Sequence, residues 1–209
     1  MQVRNLIVGA LLFSCTGHVN AQSLTLRVDN IDQIVDSMTL EEKVNLLVGR
    51  NDYLFGGYEK LDKAPRVMDS SISGFTQVIP RLGIPATGLA DGPAGAVVVT
   101  RPDSKKNYYA TGFPIGSLLA CSWNTGLVET IGQAIGNEIL EYGVDVVLAP
   151  GMNIHRSPLC GRNYEYFSED PVLTGKIAAA YIRGVQSNGV GACPKHFAVN
   201  SQETNRTEV

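Results

Sequence analysis

The apolar positions of this sequence follow a helical period in three stretches. The predicted helices span residues 40–48, 122–142 and 171–187. A capping box at residues 39–42 precedes the first helix, and Asp170 followed by Pro171 is a typical start for the third. The second helix stops at Gly143. Its predicted apolar face comprises Leu127, Ile131, Ala134, Ile135, Ile139 and Leu140.

Short apolar runs lie between these helices and predict β-strands. The predicted strands span residues 86–90, 113–120, 144–149 and 190–198. The third run is almost continuously apolar between Gly143 and Pro150, as in a parallel strand that is buried on both faces. Residues 50–80 and 101–112 predict loops. The alternation of strands and helices therefore indicates an α/β protein with a parallel sheet.

Polar side chains follow the carboxyl ends of the predicted strands, and their placement separates two α/β folds. They include Asp91, residues 153–156, residues 162–169 and the pair Lys195-His196. In a (β/α)8 barrel these ends meet around one pocket, whereas in an open doubly wound sheet they spread along an edge. No glycine-rich nucleotide fingerprint follows a strand. The sequence therefore favours a (β/α)8 TIM-type barrel over a doubly wound sheet.

The chain is short for a whole barrel of this type. It has 209 residues, and we count about four strands in it, whereas a full barrel needs ~250 residues. We therefore expect residues 22–209 to be the N-terminal part of a barrel domain that is incomplete in this chain.

The N-terminus has the pattern of a secretory signal peptide at residues 1–21. Arg4 precedes a short apolar run, and Val19 and Ala21 stand at the −3 and −1 positions of a cleavage site. We expect cleavage after Ala21 and export to the periplasm or the medium. A lipid anchor on Cys15 is the alternative, and it fits less well because the bulky Phe13 lies in the motif that would direct it.

Composition excludes several other classes of function. The chain has 17 Lys and Arg against 20 Asp and Glu, and its formal net charge of −3 gives no basic footprint for nucleic acid. No segment reaches the ~20 apolar residues of a membrane span. Beyond residue 21, His155 and His196 are the only histidines, no Cys-x-x-Cys pair exists and no ligand spacing recurs. We therefore expect no metal or other cofactor, and we expect Cys121, Cys160 and Cys193 to be buried free thiols.

The last quarter of the chain is dense in cations, carboxylates and amides. This mixture suits a polyhydroxyl ligand, because each sugar hydroxyl both donates and accepts hydrogen bonds. Asp91 can accept from two hydroxyls, while Lys195 and His196 can donate to a neighbouring pair. Structural explanations compete with this one. Asp91 is also a turn former, Arg162 has Glu165 and Glu169 as ion-pair partners nearby, Asp170 is a helix cap, and His155 is as easily a satisfied, partly buried histidine.

Four motifs occur in order along the chain. They are LADGPAG at 89–95, APGMNIHR at 149–156, GRNYEYFSEDP at 161–171, and KHF at 195–197 followed by NSQETNR at 200–206. Together they resemble the N-terminal domain of glycoside hydrolase family 3, in its β-glucosidase branch. The resemblance covers about residue 35 to the end, and it implies a (β/α)8-type domain with the sugar in a pocket at its top.

By this resemblance, the glycone is held by Asp91, Arg162, Lys195, His196 and Arg206. Retaining hydrolysis needs two carboxylates ~5–5.5 Å apart. The resemblance places the family's nucleophile and acid/base downstream of Val209. We therefore assign no catalytic residue in this chain, and we expect these residues alone to be inactive.

Two comparisons within the family indicate which sugar is bound, and a third concerns one contact with the glycone. The Lys-His-Phe motif continues here without the Pro-Gly-His of N-acetylglucosaminidases, and Asp91 stands where β-xylosidases tend to have the longer Glu, which leaves room for the hydroxymethyl group of a hexose. Residues 96–99 are Ala-Val-Val-Val, where many relatives have an Arg that contacts the glycone. We therefore predict an exported, exo-acting, retaining β-glucosidase whose partner is a β-glucoside or oligosaccharide substrate. The alternatives are a non-catalytic carbohydrate-binding fragment, a β-xylosidase or a glycoside phosphorylase.

Overall fold

A computed structural model describes residues 24–49, 70–71, 73–100 and 107–208. The predicted signal peptide lies outside the described residues, as do most of the predicted loop 50–80 and the first part of the loop 101–112. The α-helices are α1 (Ile31–Ser37), α2 (Leu40–Val48), α3 (Gly116–Cys121), α4 (Thr125–Glu141) and α5 (Pro171–Gln186). The strands are β1 (Ser70–Ser71), β2 (Gly74–Phe75), β3 (Gly88–Asp91), β4 (Val99–Thr100), β5 (Val146–Leu148) and β6 (Gly191–Ala192).

A four-stranded sheet in the order β2-β3-β5-β6 forms the centre of the fold. Strands β3, β5 and β6 are parallel, with Leu89 opposite Val146 and Val146 opposite Gly191, while β2 pairs antiparallel to β3. Helices α3 and α4 connect β3 to β5, and α5 connects β5 to β6. Two consecutive β/α units are therefore complete, and the predicted parallel α/β arrangement is confirmed. Strands β1 and β4 form a separate antiparallel pair.

The core lies between this sheet and the helix pair α4 and α5. Val147 on β5, Ile135 on α4 and Ile177 on α5 are fully buried. The two helices approach closely through glycines, since a Cβ atom on Gly184 would lie 2.2 Å from the Glu129 carbonyl oxygen. Glycines on both helices therefore set how near the two helices lie to each other.

The local signals that begin the predicted helices are confirmed. Thr39 accepts a hydrogen bond from the Glu42 N–H at 3.2 Å, and the Glu42 carboxylate accepts from the Thr39 N–H at 2.8 Å. Asp170 likewise caps α5, because its carboxylate accepts from the Val172 N–H at 2.7 Å. The structural interpretation of Asp170 as a helix cap is therefore correct.

The predicted strand 113–120 is wrong, because residues 116–121 form helix α3. A short apolar run has no periodicity that separates a buried strand from a buried helix. Tertiary contacts favour the helix here. A Cβ on Gly116 would lie 2.5 Å from the Glu165 carbonyl oxygen, and the Ser117 hydroxyl donates to the Tyr166 carbonyl at 3.1 Å. The first turn of α3 thus packs on the loop that carries Glu165.

Two further expectations need correction. The predicted strand 190–198 is reduced to β6, although the backbone after it still pairs with the segment that follows β5, because Lys195 forms an isolated parallel bridge with Gly151. The helix predicted at 122–142 begins at Thr125, and its predicted face is partly wrong, since Leu127 and Leu140 are 46% and 49% exposed. The face that packs on α5 contains Gly132 and Gly136. Glycine has no side chain and therefore adds nothing to the apolar pattern of the sequence.

Candidate sugar-binding site

Asp91 and Lys195 meet at the carboxyl end of the parallel strands. Asp91 is the last residue of β3, and Lys195 follows β6 and is held by a hydrogen bond from its N–H to the Pro150 carbonyl at 2.9 Å. The Lys195 Nζ donates to Asp91 Oδ1 at 2.6 Å. The Asp91 side chain is 48% exposed, so its carboxylate also faces solvent. A carboxylate in this position can accept hydrogen bonds from a ligand while it remains paired with a lysine.

Glu165 lies between two of the predicted cations. It is 5% exposed, it accepts a hydrogen bond from the Arg162 Nε, and its Oε2 lies 3.9 Å from the Lys195 Nζ. Burial is the largest single influence and lowers the pKa of Arg162, but the hydrogen bond to Glu165 and the charges of Glu165, Tyr166 and Glu203 together outweigh it, so the pKa is raised. Arg162 is therefore a permanent cation, and its predicted ion pair with Glu165 is confirmed.

His196 has both ring nitrogens in the same network. Its Nε2 lies 2.8 Å from an Arg162 NH2 nitrogen, and its Nδ1 lies 3.0 Å from the Tyr166 hydroxyl and 3.3 Å from Asn153 Oδ1. Arginine can only donate, so Nε2 is the acceptor and Nδ1 carries the proton. Burial, followed by the charge of Arg162, lowers the pKa of His196, which keeps the ring neutral.

Polar side chains of residues 200–206, near the end of the chain, contact Tyr166 and Arg162. The Asn200 amide donates to the Tyr166 hydroxyl at 2.7 Å and to Glu203 Oε1 at 2.9 Å. Glu203 also accepts from Arg206 at 3.0 Å and lies 3.9 Å from the Arg162 Nε. The hydrogen bond from Asn200, together with Arg206, lowers the pKa of Glu203. Arg206 is 58% exposed and lies at the outer edge of the network.

A cleft of about 370 Å³ opens beside these groups. Asp91, Arg162 and Glu165 form its polar side. Its other lining residues are Gly92, Pro93, Ala94, Gly95, Ala96, Val97, Ala110, Thr111, Gly112, Ile115 and Tyr164. The volume lies in the range of small-molecule sites in proteins, and the lining combines charged hydrogen-bonding groups with an apolar wall. This arrangement suits a sugar ring, which has polar hydroxyl edges and apolar C–H faces.

The structure brings all five predicted site residues into one connected network. Asp91 connects to Lys195, and Lys195, Arg162 and Arg206 connect through Glu165 and Glu203. His155 stands outside the network. Its ring packs near Tyr166 with centroids 6.4 Å apart, and its Nε2 is buried without a hydrogen-bond partner among the residues that the structure describes.

Sequence reasoning did not select the residues that join the predicted ones. These are Asn153, Glu165, Tyr166, Asn200 and Glu203. All of them except Asn153, which lies in the motif 149–156, belong to a motif that supplied a predicted residue, and the spacing of three residues from Arg162 to Glu165 and from Glu203 to Arg206 was the available signal. Within the described ranges, no group of three or more His, Cys, Asp or Glu side chains could hold a metal ion, and no helix is long and apolar enough to cross a membrane. Cys160 is a buried free thiol, as expected, whereas Cys121 and Cys193 are free but exposed, so their predicted burial is wrong.

Comparisons with known proteins identify the family of the chain. The family model described as the glycosyl hydrolase family 3 N terminal domain matches residues 63–208. The thermostable beta-glucosidase B of Acetivibrio thermocellus is 44% identical over 185 residues, which cover 86% of this chain and 22% of that protein. The exo-alpha-(1->6)-L-arabinopyranosidase of Bifidobacterium longum is 38% identical over 180 residues, covering 84% of this chain and 21% of that protein.

A solved structure gives the same picture. The beta-glucosidase 3B from Thermotoga neapolitana in complex with glucose superposes with a TM-score of 0.73 at 52% identity, over 83% of this chain and 24% of that chain. Fold and site together define an α/β-barrel unit with a charged cleft at the carboxyl ends of its strands. The chain belongs to glycosyl hydrolase family 3 and forms the N-terminal part of its TIM-type barrel. It spans about a fifth to a quarter of the length of these relatives.

Proposed function

We propose that this chain is the glycone-binding part of an exported, exo-acting, retaining β-glucosidase that releases terminal β-D-glucose. The observation that carries the proposal is the single network of contacts that joins Asp91, Arg162, Lys195 and His196, in which Asp91 and Arg162 line one cleft. Relatives named as β-glucosidases, and the neighbour that was solved with glucose, support the same choice.

The network contains the complementary groups that a sugar requires. Asp91 offers a half-exposed carboxylate as an acceptor, and Lys195 and Arg162 supply charged donors. Each of these groups already has a partner of opposite charge, so the site is held in place before a ligand arrives. A preformed site binds a sugar without the cost of ordering several long side chains.

The carboxylates of this site suit binding better than catalysis. Asp91, Glu165 and Glu203 each contact a lysine or an arginine, and the lowered pKa of Glu203 makes it a poor proton donor. Retaining hydrolysis needs a free nucleophilic carboxylate and a second carboxyl group that can donate a proton. We propose that the nucleophile and the proton donor come from parts of the protein downstream of Val209, and that this chain contributes residues that bind the sugar.

Asp91 provides the test of this proposal. Charge-assisted hydrogen bonds to a sugar contribute about 1.5–3 kcal/mol each. In the full-length protein, Asp91→Ala is therefore expected to lower kcat/KM on an aryl β-glucoside by about 100-fold or more. The melting temperature should change little, because the carboxylate faces the cleft and lies outside the core. Asp32→Ala, at an exposed position in the first turn of α1, is the control and should leave kcat/KM unchanged.

Steady-state kinetics give kcat/KM for Asp91→Ala and Asp32→Ala, and thermal melts give their melting temperatures. A stable Asp91→Ala enzyme with wild-type kcat/KM would remove Asp91 from the site. Parallel assays with an aryl β-xyloside and an aryl α-L-arabinopyranoside test the sugar, because both lack the hydroxymethyl group of glucose. A clear preference for either of them in the wild-type protein would contradict the assignment of glucose.

A further inference from the structure

One wall of the cleft has no regular secondary structure of its own. Ala110, Thr111 and Gly112 line the cleft together with Arg162 and Glu165, in a segment that contains neither helix nor strand. Such a segment has no ladder of backbone hydrogen bonds to fix its position. Its place must therefore come from contacts that individual residues make with the elements behind it.

Helix α4 supplies those contacts from outside the cleft. The Glu138 carboxylate accepts hydrogen bonds from the Thr111 backbone N–H at 3.1 Å and from the Thr111 hydroxyl. One turn further along, the Tyr142 hydroxyl donates to the Tyr109 carbonyl. Bonds to an ionised carboxylate are about twice as strong as bonds between neutral groups. Glu138 is therefore the stronger of the two anchors.

The backbone of residues 111–113 also contacts the turn that follows Asp91. The Thr111 carbonyl lies against Gly95, where an added Cβ atom would be only 2.2 Å from that oxygen. The Phe113 N–H also donates to the Ala94 carbonyl at 2.9 Å. Thr111 is thus held between Glu138 on one side and the turn after Asp91 on the other. Any movement of Thr111 changes the width of the cleft beside Asp91.

We propose that Glu138 is a positioning residue that sets the affinity of the cleft for its sugar through Thr111. The inference rests on the proposed function, because the ligand of the cleft is taken to be the glycone. Glu138 does not line the cleft itself. A wall that touches the sugar equally in the ground state and in the transition state affects KM and leaves kcat almost unchanged.

The experiment compares two substitutions on the same helix in the full-length protein. Glu138→Gln keeps the size of the side chain but removes its charge, so both contacts with Thr111 lose their charge assistance. Glu141→Gln is the matched control, because Glu141 accepts only from the Asn137 amide at 2.9 Å among the contacts described. We expect Glu138→Gln to raise KM for an aryl β-glucoside about fivefold with kcat within about twofold of wild type. Glu141→Gln should leave both constants unchanged.

Hydrogen exchange at the Thr111 amide provides a readout that is independent of activity. We expect faster exchange in Glu138→Gln than in Glu141→Gln, because the acceptor of this N–H is weakened. An unchanged KM in a folded Glu138→Gln enzyme, or a loss of melting temperature with KM unchanged, would overturn the inference. If Glu138→Gln does not fold, Thr111→Val, which removes only the hydroxyl bond, is judged by the same KM criterion. Failure of the wild-type protein to act on or bind any β-glucoside would overturn the proposed function instead, whatever the exchange result.

Discussion

At the scale of single residues, His196 shows how charge fixes the state of the site. The ring stands beside Arg162 and near Lys195 and Arg206, and these cations oppose a further positive charge, while Glu165 favours it. Burial opposes protonation as well and is the largest cause of the lowered pKa. His196 is therefore neutral where an exposed histidine would begin to take up a proton.

This lowered pKa predicts a loss of stability in acid. The unfolded chain binds a proton at His196 near its ordinary pKa of about 6.5, whereas the folded chain binds it only at lower pH. Neutral His196 makes its full contribution to the free energy of unfolding above the unfolded pKa of about 6.5. That contribution is lost as the pH falls through the lower pKa of the folded chain. Denaturant unfolding of the wild-type protein and of His196→Gln, followed from pH 7 down to about pH 5, should show a steeper loss in the wild type. His155→Gln is the control, and equal slopes for wild type and His196→Gln would contradict the prediction.

Glu165 shows what residue-level reasoning missed. Its neighbours in the sequence are Tyr164 and Tyr166, and a motif rich in aromatic residues does not by itself indicate a buried carboxylate. The reason for its burial is tertiary, because Lys195 approaches it from a distant loop and Gly116 of α3 packs on its backbone, in addition to the local ion pair with Arg162. The hydrogen bond from Arg162 and the nearby charge of Lys195 offset the cost of removing this carboxyl group from water.

At the scale of elements, the packing of α4 on α5 depends on glycines, which have no side chain at the points where the helices meet. Gly184 on α5 lies against the Glu129 carbonyl and the Gln133 N–H of α4, and Gly132 on α4 lies against the Tyr181 carbonyl of α5. The backbones of the two helices therefore touch directly. Neither helix can rotate or move away without opening the core on the sheet beneath.

Two glycine substitutions on α5 test this packing. Gly184→Ala would place a Cβ atom 2.2 Å from the Glu129 carbonyl oxygen, so the helices must separate. We expect a loss of about 2 kcal/mol or more in the free energy of unfolding, as for other overpacked cores. Gly175→Ala, on the same helix with nothing within 4 Å of the added atom, is expected to be neutral or to stabilise by up to ~1 kcal/mol. Chemical denaturation of both variants gives the two values, and equal values would show that the close approach has no energetic importance.

At the scale of the whole molecule, the parallel sheet explains why distant motifs share one site. Asp91 follows β3, residues 162–165 follow β5, and Lys195 follows β6. Parallel strands place all of their carboxyl ends on one side of the sheet, as in the active sites of TIM barrels. Motifs that are 104 residues apart, such as those of Asp91 and Lys195, thereby come within 2.6 Å.

Export is a prediction about the whole molecule that rests on the sequence alone. Arg4, the apolar run that follows it and Ala21 predict removal of residues 1–21 during secretion. N-terminal sequencing of the protein recovered from the periplasm or medium should begin at Gln22. An intact Met1 in exported material would contradict cleavage, and an acylated Cys15 would replace it with a lipid anchor.

The sequence determined the features whose signals are local. The capping box of α2, the Asp170-Pro171 start of α5, the apolar strand β5 and the motifs that carry the five site residues all depend on a few neighbouring positions. The tertiary structure alone decided between helix and strand at residues 116–121, the face that α4 buries, and the burial of Glu165. Each of these depends on a contact with a segment far along the chain. A single sequence shows which groups are present, but the free energy of burying them depends on the partners that the fold brings to them.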